Sequence, residues 1–241
     1  MKPLVRGLYK VYAFLVFAPL LGLSTLFFGT LTVVLLFFLP PSTVSRICGK
    51  TWARFNSRIT PIWVRVYGRE HMVPGQSYVI VSNHQSHYDI FVLYGWLDVD
   101  FRWVMKQELR KVPFIGIACH RLGHIFIDRG NRTAAMASIE AAKQRITGGT
   151  SVLFFPEGTR SRSGRLRPFK KGAFMMALDL QVPILPVSIA GTRSILPADT
   201  IDLFPGKVDM RIHPPIPTAG FGVDSIQELM ERTRRAIDSG L

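Results

Sequence analysis

Acidic side chains are scarce. The chain has 241 residues, with 16 Asp and Glu against 30 Lys and Arg, a formal charge of +14. Such an excess is drawn to polyanions: nucleic acid, an anionic membrane surface or phosphorylated substrates. Cysteine is scarcer still, with two in all. Cys48 and Cys119 form no CxxC pair, which excludes a disulfide scaffold and implies a reduced, cytoplasmic setting. Both read as small buried hydrophobes. Neither GxxxxGK[ST] nor GxGxxG is present, which argues against nucleotide hydrolysis and dinucleotide chemistry, and no GxSxG elbow of a typical serine hydrolase is found. There is no internal repeat, low-complexity tract or long linker.

The longest absence is local. From Val11 to Pro40 there is no charged residue. A helix of about 20 apolar residues crosses a bilayer, so this run exceeds one crossing and falls short of two. It is too long for a signal peptide, and no A-x-A-like site follows it. Lys2, Arg6 and Lys10 precede the run; Arg46, Lys50, Arg54 and Arg58 follow it. Positive flanks mark the cytoplasmic side, so both ends are expected there. The segment then dips into one leaflet and returns, bent or broken at Pro19, Gly22 or Gly29. A basic amphipathic helix from Ser42 to Gly68 lies on the headgroups and meets anionic lipid. One tilted spanning helix is the alternative. Residues 1–67 are thus expected to be membrane-anchoring helices and 68–241 an α/β domain. No nucleic-acid partner is expected, because the basic runs are not interleaved with a stacking platform.

Beyond Gly68 the pattern alternates. Strands are expected in "SYVIVSN", "FRWVMK", "HIFIDR", "TSVLFFP", "PILPVSIAG" and "KVDMRIHPPI". Helices are expected in "YDIFVLYGWL", in "NRTAAMASIEAAKQRI" with Asn131 as its cap, in "KGAFMMALDLQ", and in "DSIQELMERTRRAIDSG" with Asp224 as N-cap and Gln227 as its box partner. Alternation of this kind predicts an α/β fold with a mostly parallel central sheet and flanking helices. Active residues then gather where strands end. Asn83-His84, Asp128-Arg129 and Pro156-Glu157-Gly158 all follow strands.

Three readings compete for "NHQSHYD". A neutral imidazole accepts protons well near neutral pH, and better with a carboxylate to hold its tautomer; His84 and Asp89 fit if the chain between them loops back. A metal site would use His84, His87 and Asp89 with His120 or His124 recruited. A polar loop that starts a helix is the plain alternative. In "FFPEGTRSRSGRLRPFKKG", six basic residues and no acid lie between Arg160 and Lys171. Arginine grips phosphate, and Gly158 permits close backbone approach; a solvated basic loop is the bland reading. In "GHIFIDRGNR", Arg129 and Arg132 lie near a helix start and could hold an anion there. Lys106 adds a cation at another strand end.

Taken together, these segments resemble the glycerolipid acyltransferases. The first motif of that family, His-x4-Asp, matches His84 and Asp89. Its second matches Gly123 to Arg129, its third Phe155 to Ser161, and its fourth the proline-bearing apolar run Val182 to Val187. The resemblance covers roughly Tyr78 to Ala190. It implies that His84, oriented by Asp89, deprotonates the sn-2 hydroxyl of a lysophospholipid for direct attack on the thioester of acyl-CoA or acyl-carrier protein. It further implies phosphate contacts from Arg129 and Arg160, with Lys106 as a third. Glu157 would position the arginines or the acceptor, and Gly158 would make room for substrate. No metal and no cofactor beyond the acyl co-substrate are implied, and His87 has no role. Expected partners are anionic membrane lipid, the lysolipid and the acyl donor, at the cytoplasmic face of the inner or plasma membrane. The acceptor is lysophosphatidic acid or another lysolipid such as lyso-ornithine lipid. A basic membrane-tethered binding protein without catalysis is the contrasting class.

Overall fold

Short runs of Val, Ile, Leu and Phe set the framework, because strands apolar on both sides must be covered on both faces. The computed structural model describes residues 3–144, 146 and 148–241. Lys2 lies outside the described residues, as do Arg145 and the side chains of Arg6 and Arg132. Among the described residues one sheet holds β1 (Ile62–Tyr67), β2 (Val79–Ser82), β3 (Phe101–Lys106), β4 (Ile125–Ile127), β5 (Ser151–Phe154), β6 (Ile184–Ala190) and β7 (Gly206–Ile212). Their spatial order is β1-β7-β6-β2-β5-β3-β4. Neighbours are parallel except β6 and β7, which run antiparallel with Val187 opposite Ile212. The central strands β2 and β5 are buried at every residue.

The N-terminal apolar segment is α1 (Pro3–Tyr12), a π-helical turn (Ala13–Phe17) and α2 (Ala18–Leu35). Gly7–Leu35 is a 29-residue helix, long and apolar enough to cross a membrane. The expected bend at Pro19, Gly22 or Gly29 is replaced by the wider turn. Pro19 has no N–H to donate to Leu15 and its ring crowds that carbonyl; just before it, the Ala18 N–H reaches back to the Ala13 carbonyl. The chain reverses instead at Leu36–Pro40 and returns through α3 (Pro41–Val44), a second π turn (Ser45–Gly49) and α4 (Lys50–Ile59). The helix expected to reach Gly68 therefore stops at Ile59, and Ile62–Tyr67 pairs with β7 as an edge strand.

The remaining helices are α5 (Tyr88–Trp96), α6 (Ile115–Arg121), α7 (Arg132–Lys143), α8 (Gly172–Leu180), α9 (Thr192–Ile195) and α10 (Ile226–Asp238). Asn131 caps α7 as expected, accepting the Ala134 N–H at 3.0 Å. Asp224 does not cap α10; Ser225 stands at that position and its hydroxyl bonds to Gly222 instead. Helices α4, α5 and α9 share one apolar core with one face of the sheet, while α7, α8 and α10 share another with the opposite face.

The apolar helix lies along the first of these faces. Tyr12 donates to the Ile59 carbonyl. Phe17 stacks on Tyr88 at 6.2 Å. Ser24 bonds Asn56, and Trp52 donates to Thr25, both at 3.1 Å. Arg121 sits over the Phe37 ring at 5.1 Å. The other side of the helix is bare: Leu8, Val11, Phe14, Leu15, Leu23 and Phe27 are exposed.

Candidate active site

Strands β2 to β6 are mutually parallel, so their carboxyl ends share one edge. At that edge the chain leaves β2 as Asn83-His84, β4 as Asp128-Arg129, β5 as Phe155-Pro156-Glu157-Gly158 and β6 as Gly191-Thr192. The Asn83 amide fastens two of these exits together. It donates to the Ile189 carbonyl and accepts the Ile189 N–H, both at 2.8 Å, bridging β2 to β6.

His84 Nδ1 lies 2.8 Å from Asp89 Oδ2. Asp89 is fully buried in the first turn of α5. Its Oδ2 also accepts the backbone N–H groups of Gln85 at 2.7 Å and Ser86 at 2.9 Å. Its Oδ1 accepts the Thr192 hydroxyl at 2.6 Å. A carboxylate that accepts at both oxygens makes Nδ1 the donor and leaves the imidazole lone pair on Nε2. The loop between the two residues turns its N–H groups inward, which is how a five-residue offset closes. The imidazole stacks on Phe155, centroids 3.9 Å apart and planes 9° apart. Phe155 thus fixes the ring plane and Asp89 its rotation.

Glu157 secures the same loop from the other side. Its Oε1 accepts the His84 N–H at 2.8 Å and its Oε2 the Arg167 N–H at 2.9 Å. Burial raises its carboxyl above the ordinary glutamate range, and the two backbone donors oppose that rise. Glu157 was expected to position the arginines or the acceptor; its hydrogen bonds among the described residues go to backbone N–H groups of the His84 and Arg167 segments. Gly158 has a φ of +73°. A Cβ there would press on Lys170 Cε at 2.9 Å. The Gly158 carbonyl accepts Arg129 Nη1 at 2.7 Å.

The structure therefore brings His84, Asp89, Glu157, Gly158 and Arg129 into one connected set. Arg160 and Lys106 stand apart from its hydrogen bonds. Arg160 faces Asp199 at 3.4 Å and Lys106 faces Glu108 at 2.9 Å, both carboxylates at least half exposed. Exposed pairs of this kind are weak and readily exchanged for a ligand anion. His87 is exposed, with no side-chain hydrogen bond among the described residues. No three His, Cys, Asp or Glu side chains among them gather into a metal-ligand group. His124, which a metal site would recruit, accepts the Trp103 N–H at Nδ1 (3.2 Å) and meets Tyr94 at Nε2 (2.9 Å). Burial holds its imidazole down to about 3.

Sequence reasoning missed Thr192 and the roles of Phe155 and Asn83. Asn83 and Phe155 were within reach, since they adjoin His84 and Glu157 in the same short runs. Thr192 lies 103 residues beyond Asp89 and carries no local signal.

The chain is similar to proteins of known kind. The Acyltransferase family model matches residues 63–190. The 1-acyl-sn-glycerol-3-phosphate acyltransferase alpha of Ovis aries is 37% identical over 178 residues, covering 73% of this chain and 62% of the relative. The Homo sapiens protein of the same name gives the same identity and coverage. The chain thus spans about three fifths of the length of these curated relatives. The crystal structure of the 1-acyl-sn-glycerophosphate (LPA) acyltransferase PlsC from Thermotoga maritima superposes with a TM-score of 0.77 at 28% identity, covering 99% of this chain and 97% of that one.

Proposed function

The chain belongs to the acyltransferase family, and from that membership we propose that it transfers an acyl group from an acyl thioester to the sn-2 hydroxyl of lysophosphatidic acid, forming phosphatidic acid. One observation carries the reading: the His84 imidazole donates from Nδ1 to a carboxylate with both oxygens occupied, leaving Nε2 as a base at the sheet edge that Arg129 shares. The names of the relatives point to the same acceptor.

The chemistry follows from that base. His84 Nε2 takes the hydroxyl proton as the oxygen attacks the thioester carbonyl. The tetrahedral intermediate collapses with cleavage of the C–S bond, and the imidazolium returns the proton to the leaving thiolate. No acyl-enzyme forms. Asp89 holds the tautomer and stabilises the imidazolium. Arg129, Arg160 and Lys106 bind the acceptor phosphate, the last two by exchanging their exposed carboxylates for it. Glu157 and Gly158 position the substrate through the loop they shape. Acyl-CoA and acyl-carrier protein are both donors compatible with the basic surface.

In this reading residues 1–67 anchor the chain and 68–241 form the acyltransferase domain, with Ile62–Tyr67 shared as its edge strand. The apolar helix packs on the domain from Tyr12 to Phe37, which favours a dip into the cytoplasmic leaflet over a crossing. The test is phosphatidic acid formation by protein purified in detergent, given lysophosphatidic acid with acyl-CoA or with acyl-carrier protein, in the presence and absence of chelator. Wild type and His87→Ala are expected to turn over, with or without chelator. His84→Ala is expected to lose roughly 10²–10⁴-fold, the worth of a positioned general base. Full activity in His84→Ala, or no product with either donor, would overturn the assignment and leave a binding protein.

A further inference from the structure

From the end of β3 into the first turn of α6 the chain runs through "QELRKVPFIGI", Gln107 to Ile117. This loop leaves the same sheet edge as the site, yet it carries apolar side chains outward. Leu109, Val112, Phe114 and Ile117 are all exposed, Ile117 to 59%. The backbone is arranged to hold them there. Phe114 has φ +63° and ψ −46°, and the Ile115 N–H reaches back to the Pro113 carbonyl at 2.7 Å. That is a γ-turn of the strained hand, which non-glycine residues rarely adopt. Strain kept in order to expose a phenylalanine points to a use for the exposure.

Its neighbour identifies that use. Gly29 of α2 packs directly on Phe114, and a Cβ at Gly29 would come within 3.1 Å of the Phe114 Cβ. The exposed face of α2, with Leu23, Leu26 and Phe27, therefore continues into the loop. Arg110 and Lys111 flank the apolar residues and are exposed. An apolar wedge with cations at its base is complementary to an anionic leaflet, hydrocarbon below and phosphates at the rim.

We infer that the Leu109–Ile117 segment, the loop and the first turn of α6, inserts into the same leaflet as the apolar helix, as a second membrane contact supplied by the catalytic domain. The inference rests on the proposed anchoring by residues 1–67. Two contacts, one on the long helix and one at the site's own edge, fix how the domain is tilted. The edge bearing His84 is then held at headgroup depth, where a lysolipid hydroxyl resides.

Single tryptophans read insertion directly as emission gained over wild type. Ile117→Trp, Phe27→Trp on α2 and Met136→Trp on the opposite face are compared on vesicles of phosphatidylethanolamine and phosphatidylglycerol with brominated acyl chains. The added emission at positions 117 and 27 is expected to shift blue and be quenched, while that at 136 stays water-like and unquenched. Quenching at 27 with water-like emission at 117 would overturn the loop contact and leave the anchor intact. Water-like emission at both would overturn the two together. None of these readouts depends on turnover, so failure of the proposed reaction registers separately. As a second measurement, Phe114→Asp/Ile117→Asp is expected to lose several-fold more activity on lysolipid in vesicles than in detergent micelles; equal loss in both would count against insertion.

Discussion

Asp89 receives three of its hydrogen bonds from the His84 loop itself and one from outside, the Thr192 hydroxyl. That outside bond ties the orientation of the His84 imidazole to the segment that follows β6. Thr192→Val keeps the shape and deletes the donor, leaving a buried carboxylate oxygen unsatisfied. The expected cost is about 1–3 kcal/mol of stability, seen as a lower thermal midpoint. On the proposed function, a reduced kcat at unchanged KM for lysolipid is expected to accompany it, and Thr192→Ser is expected to restore both. His84, Asp89, Glu157, Gly158 and Arg129 could be singled out beforehand because each sits in a short polar run at the end of an apolar one. Thr192 could not, because a hydroxyl acquires its meaning only once β6 lies beside β2. The partners of Glu157 show a related limit: its oxygens meet the His84 and Arg167 N–H groups, which no local run of residues announces.

At the scale of elements, the joint between α4 and α5 depends on Gly49. A Cβ at that position would overlap the Tyr94 ring, 2.9 Å from Cδ1. Gly49→Val is expected to cost about 1–3 kcal/mol through overpacking, measured by chemical denaturation. Most elements were legible because their periods are clean, as in "FRWVMK", which became β3 from its first residue to its last. The reading of Ser42–Gly68 as one helix failed at a visible break. Thr60 precedes Pro61, and a residue before proline is pushed out of the helical region. Beyond the proline, "IWVRVY" alternates more covered with exposed residues, as an edge strand does. The antiparallel sense of β7 is different in kind, since nothing within a strand records the direction of its neighbour. The widened turn at Ala13–Phe17 was half legible: Pro19 announced a disturbance, but neighbouring packing chose a π turn over a kink.

Across the whole molecule, two buried imidazoles contribute to the response to acid. Burial brings His124 down to about 3 and His213 to about 4, from an ordinary 6.5. Below 6.5 the unfolded chain gains protons that the folded chain refuses, so stability falls as pH drops toward those values. His124→Gln keeps an acceptor for the Trp103 N–H and removes one titration. Its unfolding free energy, measured by denaturant at a series of pH values, is expected to decline less steeply below 6.5 than that of wild type. The apolar helix was the plainest feature of the sequence, yet its lie along the domain was not, because a run apolar on every side does not say which side packs. That lie has a kinetic consequence. On the proposed function, a chain held against a leaflet would meet its lysolipid by lateral diffusion in two dimensions, and its product would stay in the same plane. Turnover is expected to follow the mole fraction of lysolipid in the bilayer; at constant bulk lysolipid, added inert phospholipid is expected to slow it by surface dilution.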